Sequence, residues 1–170
     1  MGAGLYPPPT NTSAPRGVRY YSNIGSTGYV GDTETRAYLA SFVAEGSRLY
    51  RVTLNLAAVD TDGAGDTTAT SHGAKNSATI RARWAYGTDA NTGDADLGAF
   101  YQTVYDDDSQ FGSGAIHQWF IGGLTAGQAS VAITIKATKA AATYGSIRIL
   151  TLGGNSTSLQ VEDIGPWPVP

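Results

Sequence analysis

The chain has 170 residues and a formal net charge of −3, a length that closes one hydrophobic core and does not comfortably divide into two. Charged residues make up only 15% of it, against about 25% in ordinary globular domains, so helices that need Glu, Lys and Arg on a wet face are disfavoured. The acidic balance argues against a phosphate-neutralising patch and a nucleic-acid partner, and the absence of cysteine excludes disulfides, thiolate chemistry and Cys-based zinc sites.

In chain order, residues 1–17 read as a separate extended arm. Pro7, Pro8 and Pro9 favour polyproline geometry, and turn formers continue to Gly17. Leu5 and Tyr6 are costly to leave in water, so the arm is expected to order against a neighbouring subunit. The N-terminus has neither a basic region nor an apolar run, so no signal peptide is read there. No stretch approaches the ~20 apolar residues of a membrane span.

From Val18 onward the pattern is that of strands. Tyr50, Val52, Leu54 and Leu56 alternate with Arg51, Thr53 and Asn55. Ile80, Ala82, Trp84 and Tyr86 do so with Thr79, Arg81 and Arg83, and Val131, Ile133 and Ile135 with Ala132, Thr134 and Lys136. Weaker strands are expected at 18–22, 35–43, 100–105, 116–121, 146–152 and 159–161. The turns between them fall at Asp60 to Asp66, Asp89 to Asp94, Gly122-Gly123 and Gly153 to Asn155. Ala137 to Tyr144 is too short for a stable helix and reads as a loop. Eight or nine short strands with Gly-rich turns predict an all-β chain: a two-sheet antiparallel β-sandwich, jelly-roll-like, over 18–166, with the N-terminal arm and a short C-terminal tail, 167–170. Trp84, Trp119 and the aliphatic rows are expected to fill its core.

The search for chemistry returns no catalytic, cofactor or metal residues. His72 lies in a polar loop, and His117 is expected to point outward from a strand, with no nucleophile-elbow pattern anywhere to partner either. Asp60, Asp62 and Asp66, with glycines between, resemble part of a calcium loop but lack its distal acidic ligand. Asp106 to Asp108 form a second acidic knot, and both read first as solvated turns. Phosphate-cradling glycine motifs are absent. What stands out is aromatic content: ten tyrosines and three tryptophans, whose flat faces and polar tips suit protein interfaces and sugar stacking. With little charge to keep such surfaces apart, a stable homo-oligomer is expected, as a trimer. The interface candidates are Leu5, Tyr6, Pro7, Pro8, Pro9, Tyr20, Tyr21, Trp167 and Pro168.

The C-terminal run Leu159-Gln160-Val161-Glu162-Asp163-Ile164-Gly165-Pro166 resembles the closing motif of β-sandwich modules in minor tail proteins of phages infecting actinobacteria. Upstream, Gly46 to Leu54, Ala78 to Arg83, Leu124 to Gly127 and Val131 to Ala137 are similar to that family's successive strands, in the same order. Together these segments span about residues 34–166. The resemblance implies a non-enzymatic virion component of a tail tip, fibre or baseplate that contacts other virion proteins. The tyrosine-rich composition adds two readings apart from the resemblance: contact with a host cell-surface glycan, and a carbohydrate-binding module. The family's modules commonly end much longer chains, so a capsid decoration protein is the alternative. No cofactor and no membrane insertion are implied. Pro166, lacking a donor N–H, should end the last strand, and Trp167 to Pro170 should leave it as a stiff docking peptide ordered only against partners.

Overall fold

The computed structural model describes residues 14–62, 75–105, 113–138, 146–151 and 157–168. All of their regular structure is β: β1 (Gly17–Asn23), β2 (Thr35–Ala44), β3 (Arg48–Asp62), β4 (Lys75–Tyr86), β5 (Ala95–Tyr105), β6 (Ser113–Gly122), β7 (Gly127–Thr138), β8 (Ser146–Leu150) and β9 (Ser158–Pro166). One sheet, A, has the order β1-β9-β3-β6, with β8 following β9 along the same side of β3. The other, B, has the order β2-β7-β4-β5. Every pairing is antiparallel. The architecture is the predicted two-sheet sandwich.

The period-two rows explain it. Tyr50, Val52, Leu54 and Leu56 of β3 face Val131, Ile133 and Ile135 of β7 across one core, joined by Ile80, Trp119, Ile121, Ile147, Ile149, Leu159 and Val161, all buried. Each large side chain removed from water contributes about 1.5–3 kcal/mol, which stabilises the domain without staples. Trp119 lies in this core as expected, while Trp84 is only half-buried at its rim, edge-on to Tyr86 at 5.3 Å.

Four expectations change. The turn expected from Asp60 starts too early: β3 continues to Asp62, because Arg148 donates from Nε to the buried Asp60 carboxylate at 2.8 Å and holds β8 against the strand's far half. Asp60 is thus a strut in a strand and no part of a solvated loop; Asp66, His72 and Asp106 to Asp108 lie outside the described residues. Ala137 and Thr138 belong to β7. Residues 14–17 are not arm, since Ala14 accepts a hydrogen bond from Arg48, Arg16 pairs with Glu45, and Gly17 opens β1. Finally, His117 points inward: it stacks on Phe100 at 4.7 Å, beside Trp119, and is buried. His117 shares the inward side of β6 with Trp119 and Ile121, and Ile116, Gln118 and Phe120 are the outward residues.

The burial of His117 has a measurable consequence. Desolvation lowers its pKa below the ordinary 6.5, and Nε2 has no hydrogen-bond partner. The unfolded chain therefore takes up the proton first, so stability is complete above about pH 6.5 and falls as pH drops toward the lowered folded value. Urea melts between pH 8 and 5 should show this loss, and His117→Phe should flatten it.

Candidate interaction face

The two sheets present very different outer faces. On sheet B, the outward side of β7 is itself covered. The loop after β4 lays Ala90 over Ser130, with the Ala90 amide donating to Ser130 Oγ at 3.0 Å. Arg36 donates to Asp89 and to the Ala90 carbonyl. Glu34 accepts from Arg83 Nε and Nη2 (2.7 and 3.1 Å) and from Thr134 Oγ1 (2.6 Å). Those Arg83 bonds outweigh desolvation and hold the Glu34 carboxyl below the usual range. The middle of this face is closed by its own chain, while Val43 and Tyr101 on its edge strands stand exposed.

Sheet A is bare. Register places three outward rows across it: Val18–Glu162–Arg51–Phe120, Tyr21–Gln160–Thr53–Gln118, and Asn23–Ser158–Asn55–Ile116. The middle strands contribute the polar positions, where Arg51 and Glu162 neutralise one another at 2.6 Å. The edge strands contribute the apolar ones. Val18, Tyr21, Ile116 and Phe120 are each more than half exposed, a poor use of large apolar side chains unless something covers them.

Trp167 extends the β6 edge. Its amide donates to the Ser47 carbonyl at 2.8 Å, and its indole lies over Gly122 and Gly123, leaving the ring a little under half exposed. The tail was expected to order only against partners; Trp167 instead orders on its own sheet, because two glycines leave a flat floor for the ring. A Cβ at Gly122 would overlap the indole. Gly122→Val should therefore eject Trp167, seen as a red-shifted emission component and faster acrylamide quenching, with the rest of the fold intact.

The other sequence candidates divide. Tyr21 stands on the bare face and Pro168 is exposed. Tyr20 does not serve an interface: it packs against the core, and its hydroxyl donates to the Leu39 carbonyl of sheet B at 3.2 Å. The shift between Val18 and Tyr20 in the β1–β9 register turns it inward. Leu5, Tyr6, Pro7, Pro8 and Pro9 lie outside the described residues. Sequence reasoning missed Ile116 and Phe120, because β6 carries large side chains on both of its faces.

Each of the eight arginines pairs with a carboxylate, Arg16 and Arg19 sharing Glu45. Among the described residues no group of three potential ligands could hold a metal ion. The two segments behind the family resemblance meet in space. Buried Arg48 grips buried Asp163 through Nε and Nη2 at 2.8 and 2.6 Å on the inner side, and Arg51 grips Glu162 on the outer. Burial raises the Asp163 pKa, but the Arg48 bonds and the Gly165 amide prevail and hold it below the ordinary value. These motif residues thus close the sheet.

One groove of about 380 Å³ lies elsewhere, between the 26–30 loop and the start of β2. Tyr29 lines it, with the Arg148 guanidinium 4.5 Å from its ring centroid. Its hydroxyls are already engaged: Tyr38 donates to the Gly25 carbonyl and Thr35 to that of Thr33.

Among solved structures, the chain is similar in fold to a family 35 carbohydrate-binding module from an environmental isolate. The identity is 14% over 91% of this chain and 98% of that one, with a TM-score of 0.34. A comparison with curated proteins finds no match. A family described as a domain of unknown function, DUF7298, matches residues 1–169. A match across nearly the whole length means that the chain belongs to the DUF7298 family.

Proposed function

We propose that this chain is a non-enzymatic structural protein of a phage particle, seated in the tail tip or baseplate and working by docking against copies of itself and other virion proteins. The observation that carries the docking role is the bare face of sheet A, where large apolar side chains stand in water while the charges among them are neutralised within the chain. Such a surface gains by being covered and offers no group to turn over a substrate. The phage assignment is supported by the resemblance of residues 159–166, and of the strands before them, to minor tail protein modules.

Gold-labelled antibody against the protein on intact parent particles, viewed by electron microscopy, tests the reading. Label clustered at the tail end is the expected result. Label spread over the head makes it a capsid decoration protein, and no label on particles overturns the virion role. Removal of residues 1–13, and no further because Ala14 is tied to Arg48, should leave a folded domain that incorporates poorly.

A further inference from the structure

A sandwich has open sheet edges, and proteins usually blunt them with charge, bulges or proline. Three edges here are blunted. β1 carries Arg19 and a register shift after Val18, β2 carries Arg36 and a shift beside it, and β5 carries Asp96 opposite a shift in β4. β6 is the exception. Ser113–Gly122 runs for ten residues with no Asp, Glu, Lys, Arg or Pro, and among the described residues it pairs only with β3. Its one irregularity lies at the Ser113 end, where Gln102 of β5 also reaches it. The apolar side chains of the bare face line up on this same strand: Ile116, Phe120 and, over Gly122, Trp167.

We propose that two copies of the chain pair through β6, antiparallel and centred on Gln118, so that two A sheets become one continuous sheet. The sequence of the strand suits a two-fold axis at that residue. With Gln118 opposite its own copy, Ile116 faces Phe120, Ala115 faces Ile121 and Gly114 faces Gly122, each pair occurring twice. Apolar therefore meets aromatic on the outer face, small meets small at the ends, and the central amides can hydrogen-bond each other. A second copy fits better than a partner of opposite charge because the edge carries no charge for such a partner to complement. The pairing makes no use of the particle assignment and holds or fails independently of it. It gives a dimer in place of the trimer expected from composition.

The native absence of cysteine allows a direct test. Facing residues of antiparallel strands have Cα atoms about 4.5–5.5 Å apart, within disulfide reach. In the full chain, Gln118→Cys should therefore oxidise rapidly to a covalent dimer, while the exposed control Val43→Cys, on β2, should not. Light scattering of the wild type should give twice the 17.7 kDa chain mass, and Ile116→Lys/Phe120→Lys should halve it with an unchanged far-ultraviolet spectrum. A wild-type monomer or trimer overturns the proposal. So does Gln118→Cys dimerising no faster than Val43→Cys, a comparison that decides the matter even if the lysine variant fails to fold.

Discussion

Replacing Arg48 with Met should cost about 3–5 kcal/mol of folding stability, the range for stranding one member of a buried ion pair, enough to unfold a domain of ordinary stability. Arg48 and Asp163 are both buried, and two short hydrogen bonds join them at the point where the end of β9 meets the start of β3. Without the guanidinium, the Asp163 carboxylate keeps the Gly165 amide at 3.1 Å but loses its charge partner, and Ala14 loses its tether. The double variant Arg48→Met/Asp163→Leu should recover most of the loss, since both desolvation penalties go together.

Acid titration gives a second check. Asp163 titrates below its ordinary 3.8 in the folded state, so its contribution is present above that value and is lost as pH falls through the folded pKa. The double variant should lose this window and keep the separate one, below pH 6.5, that belongs to His117. Equilibrium urea denaturation of the wild type, the single variant and the double variant at pH 7 and pH 3 measures both effects. Equal losses in the single and double variants would mean that packing, and not the uncompensated charge, sets the cost.

Trp119→Ala should be comparably severe, about 3–5 kcal/mol for deleting a large buried aromatic. The ring is almost fully buried, meets Phe100 edge-on at 5.2 Å, and donates from Nε1 to the Gly98 carbonyl at 3.1 Å. It therefore holds the edge of sheet A to the edge of sheet B where β5 and β6 run side by side. Trp119→Phe keeps most of the packing and removes the donor, and should cost more nearly 1–3 kcal/mol, because the Gly98 carbonyl then loses its partner. Hydrogen exchange separates the roles. In the Phe variant, protection should fall first in β5 and β6 while β3 and β7 stay slow; a uniform loss would place Trp119 in the global core alone.

Much of this was legible in the sequence because a strand writes its two faces at a period of two. The rows from Tyr50 and from Val131 each fill a core face as read, the row from Ile80 does so as far as Ala82 before Trp84 reaches the rim and Tyr86 the solvent, and Pro166 ends β9 where its missing N–H dictates. β6 shows the limit of the method. Ile116, His117, Trp119, Phe120 and Ile121 put large side chains on both faces, so composition alone did not fix the phase. Only the partners on β5, Phe100 stacked on His117 and Gly98 on Trp119, determine which set turns inward.

Charge pairing was equally hidden. Asp60 sits among turn residues in sequence, yet Arg148, 88 positions away, makes it a buried strut. Arg48 and Asp163 stand 115 positions apart, and no local rule joins them. The sequence by itself determined the all-β class, the single core and the scarcity of charge, because those follow from local periodicity and composition. Which sheet would be covered, which edge would stay open and which tyrosine would be exposed depended on contacts between distant segments, and only the tertiary structure decided them.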